Sequence, residues 1–182
     1  MVFNMCTPTS PESVFSFCPR CGSRAFAPQA DRSFRCGECA FHLYVNAAAA
    51  VAALIVNEKG ELLLTRRALE PQKGLLDLPG GFVDPGERVE EALLREIKEE
   101  LNLEVDHYRF LVSYPNEYVF GGLSVYTADL AFECRVSSFE EIRWGDDISG
   151  YAFIAPEELD FSRICSESIR QIIRHWQNGR GD

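Results

Sequence analysis

Three glutamates crowded beside the apolar face of one helix pose the first chemical question. Residues 80–103 read GGFVDPGERVEEALLREIKEELNL. An α-helix turns about 100° per residue, and with Leu93 as reference Val89, Ile97 and Leu101 fall within about 80° of it. That is the stripe that faces a core. Glu91, Arg95 and Lys98 fall opposite, on the solvated side. Glu96, Glu99 and Glu100 break the pattern: they share an arc that overlaps or adjoins the apolar stripe, and Glu100 lies nearly on Leu93's meridian. Carboxylates gathered near an interior face repel one another and lose hydration. Hard divalent cations with oxygen ligands supply the missing compensation. An ordinary amphipathic helix with surface charge would carry its acids on the far side.

A second constellation lies nearer the N-terminus. Cys18-Pro-Arg-Cys21 and Cys36-Gly-Glu-Cys39 are two C-x-x-C units. On facing hairpin tips they offer four thiolates in a tetrahedron, the geometry of structural zinc, with no position left open for chemistry. Gly22 and Gly37 suit the tight knuckles. Reduced, unligated pairs or a redox C-x-x-C are the alternatives. A module this short has no room for a core of its own, so a metal staple has a physical purpose. Arg20, Arg24, Arg32 and Arg35 in the same stretch leave nucleic-acid binding open as a further role.

The acidic segment resembles the signature of the Nudix hydrolase family, G-x5-E-x7-R-E-U-x-E-E-x-G-U with U aliphatic. Gly81, Glu87, Arg95, Glu96, Ile97, Glu99, Glu100 and Leu103 stand at the required spacings. Asn102 replaces the usual glycine where the helix ends in a left-handed turn, and asparagine is the next best residue there. The resemblance implies an α/β/α sandwich with a mixed sheet and hydrolysis of a diphosphate linkage. It implies Glu96, Glu99 and Glu100 as ligands of Mg²⁺ or Mn²⁺, with the carbonyl of Gly81 as a further ligand. One of Glu99 and Glu100 would also orient or deprotonate the attacking water. Glu87 and Arg95 would form a supporting ion pair. An additional acid often follows this box, and Glu140, Glu141, Asp146 and Asp147 are candidates among which the sequence does not choose.

A zinc ribbon ahead of such a domain is similar to the NADH pyrophosphatase branch of the family. That branch carries Ser-Gln-Pro-Trp-Pro-Phe-Pro after the box. Here Ser113-Tyr114-Pro115-Asn116-Glu117-Tyr118-Val119-Phe120 shares the serine and the first proline alone. The expected substrate is a nucleoside diphosphate conjugate such as NAD(H) or ADP-ribose. A house-cleaning nucleoside triphosphate pyrophosphohydrolase and a non-catalytic nucleotide-sensing or RNA-associated protein are the alternatives. Tyr114, Tyr118 and Phe120 are candidates to stack on a base or to pack as strand residues. Arg66 and Arg67 are candidates for phosphate contact or for plain surface charge.

The elements that must hold these residues follow from the remaining pattern. Residues 1–15 read as a flexible tail, 16–44 as the zinc ribbon and 46–182 as the Nudix domain. Ala48–Val56 is a nearly continuous apolar run, hence an interior strand, and Leu62–Arg66 is a second strand expected to pair with it as a hairpin. Leu75–Leu78 is a short extended piece, Arg88–Leu101 the acidic helix, and Phe110–Ser113 and Leu123–Glu133 further strands. Glu140–Ser149 reads as an acidic loop, Pro156 opens a short turn, and Ser166 caps a last helix. With 182 residues, 46% hydrophobic and 25% charged, the composition is that of an ordinary globular protein. A net charge of −10 disfavours unspecific binding to nucleic acid or anionic membrane. No run approaches a membrane span and no secretory signal is present, so a cytoplasmic enzyme is expected. Its partners would be a small-molecule nucleotide and, through ample apolar surface, a second copy in a homodimer.

Overall fold

The computed structural model describes residues 7–179. The chain divides into two compact units, residues 1–47 with 117–126 and residues 48–116 with 127–182.

The first unit holds a helical turn, α1 (Pro11–Val14), and an antiparallel ribbon of β1 (Phe26–Pro28), β2 (Ser33–Cys36) and β3 (His42–Tyr44). Its apolar core is small. Phe26 and Phe34 stack at 5.2 Å, and Phe15, Phe41, Leu43 and Val45 pack around them. The four cysteines converge at the knuckles. Sγ–Sγ separations are 3.6 Å for Cys18–Cys39 and for Cys21–Cys36, and all four sulfurs lie within 4.8 Å of one another. Thiolates about 2.3 Å from a tetrahedral zinc stand about 3.8 Å apart, so the cluster fits a structural zinc. Residues 1–6 of the expected tail lie outside the described residues. Within the rest of it, Ser10 is buried and Thr9 exchanges hydrogen bonds with Ser124 through backbone and hydroxyl groups.

The second unit contains β4 (Ala48–Ile55), β5 (Leu62–Arg67), β6 (Leu76–Asp77), α2 (Val89–Leu101), most of β7 (Val105–Phe120) and β8 (Leu123–Val136), β9 (Ile148–Ile154) and α3 (Glu167–Asn178). The order in one sheet is β4-β8-β7, with β4 and β8 parallel; the other is β6-β5-β9, all antiparallel. Alternate residues of β4 and β5 bury on opposite faces, as the period of two demands. Val51, Ala53, Ile55 and Leu63 pack under α2 against Leu93, Ile97 and Leu101. Ala52, Leu54, Leu62 and Leu64 pack under α3 against Ile169, Ile172, Ile173 and Trp176. The strands are thus one layer between two helices, the expected sandwich. Ser166 caps α3, its hydroxyl accepting from the Ile169 N–H at 3.2 Å. Asp129 is buried on β8 and accepts from the hydroxyls of Thr127 at 2.6 Å and Ser168 at 2.5 Å, which ties α3 to the sheet.

Two expectations change. The turn at Asn57 forms, with its side chain accepting from the Lys59 and Glu61 N–H groups at 3.0 Å each. Beyond the Val56–Leu62 bridge, however, β4 and β5 part into different sheets instead of continuing as a hairpin. Each strand finds its ladder elsewhere, because burying both faces needs partners that bring the two helices over them. The acidic loop also ends two residues earlier than expected. Ile148–Ile154 is a strand paired along β5, and its Gly150 and Ser149 hide the alternation.

The end of α2 follows its sequence. Asn102 adopts φ 55° and ψ 29°, and its side-chain amide donates to the Glu141 carbonyl at 3.0 Å. Asn102→Gly is expected to change stability by no more than about 0.5 kcal/mol. Asn102→Val, which the left-handed region disfavours, is expected to cost about 1–2 kcal/mol in a denaturant melt.

Candidate active site

The site is built where the loop before α2 folds back along β4. The Val51 N–H donates to the Gly81 carbonyl and the Ala53 N–H to the Pro79 carbonyl, both at 2.8 Å. The approach leaves no room for a side chain at Gly80, and at Gly81 a side chain would displace the Glu96 carboxylate. A Cβ on Gly80, whose φ is +147°, would lie 2.0 Å from the Val51 carbonyl oxygen. A Cβ on Gly81 would lie 2.5 Å from Oε1 of Glu96. The two glycines therefore let the loop backbone reach both the strand and the acidic helix. The Gly81 carbonyl already accepts one hydrogen bond, which leaves its second lone pair for another partner.

Arg95 holds the loop to the helix. Its Nε and Nη2 donate to the two carboxylate oxygens of Glu87 at 2.9 Å each, and Nη2 also donates to the Phe82 carbonyl at 3.0 Å. The guanidinium pulls the Glu87 carboxyl down to about 2, aided by the Asp84 N–H. Nη1 of Arg95 reaches Glu96 at 2.8 Å and Glu99 at 3.1 Å. The helical wheel puts Arg95 in solvent; the folded loop covers that side and turns it into a four-way anchor.

Glu100 carries the greatest electrostatic load. Its carboxylate accepts from the Gly80 N–H at 3.0 Å. Burial pushes it up to about 8, with Asp77, Glu96 and Asp147 adding negative charge around it. Glu96 is also raised by burial, against the pull of Arg95. Asp77 is a member the sequence reading missed. It ends the short β6 just before the Pro79-Gly80-Gly81 break, and that position was the available signal. Burial pushes it up as well, while Arg67 pairs with it at 2.9 Å and the Leu78 N–H donates to it at 2.9 Å.

These carboxylates do not converge as the four thiols do, which among the described residues form the one cluster drawn within 4.8 Å. Arg95 holds Glu96 and Glu99, and Gly80 holds Glu100. Glu99 is the exposed member and is free to swing from Arg95 at little cost. Several half-buried carboxylates with one shared guanidinium form an oxygen donor set with negative charge to spare, which suits a hard divalent cation.

Of the four acids after the box, Asp147 is the one whose charge acts on Glu100. Glu140 and Glu141 are exposed, and Glu141 offers its backbone carbonyl to Asn102. Arg66 and Arg67 both brace the loop at 68–75: Arg66 donates to the Gly74 carbonyl at 2.9 Å and Arg67 to that of Pro71 at 3.0 Å. Tyr114 packs in the cluster under α3. Tyr118 and Phe120 belong to the unit that contains the ribbon, and Phe120 is exposed.

The comparisons bear on this geometry. Residues 46–176 match the model of the NUDIX domain. The chain is 34% identical over 141 residues to an ADP-ribose pyrophosphatase of Methanocaldococcus jannaschii, covering 76% of this chain and 80% of that protein. It is 29% identical over 109 residues to the NAD-capped RNA hydrolase NudC of Pseudomonas aeruginosa, covering 58% of this chain and 38% of that protein. The chain thus spans well under half of that second relative. Among solved structures, a NUDIX hydrolase from Nitrosomonas europaea aligns with a TM-score of 0.69 at 20% identity, over 92% of this chain and 93% of that one. That likeness concerns the fold alone. The family match spans the sandwich, the glycine loop and every carboxylate of α2, and the chain belongs to the Nudix hydrolase family.

Proposed function

We propose that this chain hydrolyses the diphosphate linkage of a nucleoside diphosphate conjugate, with ADP-ribose or a dinucleotide such as NAD(H) as the substrate class. The observation that carries this reading is the complete acidic set on α2, of which Glu100 is buried among Asp77, Glu96 and Asp147. The name of the Methanocaldococcus relative supports ADP-ribose. The names of the NudC relatives keep a nucleotide-capped RNA within the same chemistry.

Glu96, Glu99 and Glu100, with the Gly81 carbonyl, would hold Mg²⁺ or Mn²⁺. Such an ion neutralises diphosphate oxygens and lowers the pKa of a bound water. The protein's own part is positional. Arg95 and Glu87 clamp the loop on the helix, so the carbonyl and the carboxylates keep a common orientation. Glu99, the exposed member, would orient the attacking water. Asp77 and Asp147 deepen the negative field around Glu100 and so favour a cation there. In the ribbon, the four cysteines would hold one zinc, which staples a unit with little core of its own.

Five outcomes are expected. In a Mg²⁺ panel of ADP-ribose, NAD⁺, NADH, capped RNA and nucleoside triphosphates, ADP-ribose or a dinucleotide is cleaved fastest, with release of a nucleoside monophosphate. Glu99→Gln and Glu100→Gln each cut that rate by more than about a hundredfold without lowering the melting temperature; near-normal rates in both would remove the site assignment. Gly81→Ala displaces the Glu96 carboxylate and costs roughly ten- to a hundredfold in kcat/KM. Elemental analysis of reduced protein finds about one zinc per chain. Cys36→Ser loses that zinc and unfolds the ribbon first in a proteolysis time course.

A further inference from the structure

The loop that closes over the end of α2 carries an exposed tryptophan. The Arg143 N–H donates to the Leu101 carbonyl at 3.2 Å and the Gly145 N–H to the Glu100 carbonyl at 3.1 Å. A Cβ on Gly145 would lie 3.3 Å from the Glu99 carbonyl oxygen, so the loop backbone rests directly on the helix. Trp144 between these two anchors keeps 53% of its surface in solvent. A single exposed aromatic ring needs no partner in itself; what sets Trp144 apart is its place on the loop bonded to the end of the acidic helix.

The indole is braced rather than loose. Its ring meets Tyr151 edge-on at 5.8 Å, Tyr151 meets Phe153 at 6.0 Å, and Phe153 meets Phe139 at 5.0 Å. Phe139 and Phe153 pack into the core under α2. Trp144 is therefore the exposed end of an aromatic ladder rooted in that core. The strand register places the ladder relative to the acids. Thr65 on β5 pairs with Asp77 on one side and with Tyr151 on the other. Directly paired residues share a face, and two strand spacings put Tyr151 about 10 Å from Asp77. Asp77 and, three residues after Trp144, Asp147 both act on Glu100. One edge of the sandwich thus presents a cation-seeking acidic cluster with a rigid aromatic face beside it. A nucleotide has the same two ends: phosphates that need a cation and a flat base that stacks on an aromatic ring.

We propose that Trp144, buttressed by Tyr151, is the platform on which the base of the nucleotide substrate stacks. The proposal rests on the hydrolase reading for its substrate class. Trp144 belongs to the unit that carries the acidic helix, and Tyr118 and Phe120 belong to the other.

The two tryptophans make the test direct, because Trp176 is 4% exposed and Trp144 is the one that acrylamide reaches. With Mg²⁺ present, AMP is expected to quench and shield the acrylamide-accessible emission, and ribose 5-phosphate is not. Trp144→Leu is expected to raise KM about tenfold, well within what base stacking contributes, with a far smaller change in kcat. Trp144→Phe recovers most of the loss. If AMP leaves the emission unshielded and Trp144→Leu keeps the KM of the parent, the platform is wrong while the hydrolase reading stands. If the parent cleaves no nucleotide yet AMP still shields Trp144, the hydrolase reading fails and the platform stands.

Discussion

The rest of this structure depends on one electrostatic constraint: a helix that must bury Leu93, Ile97 and Leu101 also carries carboxylates at the margin of that buried face. Glu100 cannot leave, because Leu93 and Ile97 fix the rotation of the helix. It has a backbone amide for company and three acids around it. Everything near it reads as accommodation of that charge. The Gly80–Gly81 backbone comes in to donate and to offer a carbonyl, and Arg95 divides itself among Glu87, Glu96 and Glu99. The remaining deficit is what a divalent cation, and through it a diphosphate, would fill.

The sandwich supplies the rigidity this needs. β4 is buried on both faces and serves as the rail against which the glycine loop lies, as the Ala50–Phe82 bridge and the Val83 N–H bond to the Ala49 carbonyl at 3.0 Å show. The same strand locks to β8 in parallel, and β8 locks to α3 through Asp129 and Ser168. A shift of α3 would thus reach the loop through two strands.

How far the sequence revealed this depended on whether the signal was local. The acidic helix, its apolar stripe, its left-handed end at Asn102 and the cysteine pairs all lie within short windows, and each has a periodicity or spacing with a physical cause. The pairing of β4 was not local. Its partner β8 lies about eighty residues away in the register Ala48–Thr127, so a nearby turn at Asn57 suggested a hairpin instead. β9 was hidden because Gly150 interrupts its alternation and its ladder is made with β5. Asp77 was marked by nothing stronger than its place just before the Pro79-Gly80-Gly81 break, and Trp144 joins the site in space alone, through the loop across the helix end. Of the aromatic residues in the segment after the box, Tyr114 is half-buried against the cluster under α3 and Phe120 is exposed.

The central claim is that the carboxylates of α2 hold a divalent cation. The most direct measurement is a crystal grown with Mn²⁺, with anomalous scattering used to locate the ion. The account predicts a peak within coordination distance of Glu96, Glu99 and Glu100, with Glu99 swung away from Arg95 to reach it. A peak elsewhere, with Glu100 still bound to the Gly80 N–H alone, would contradict it.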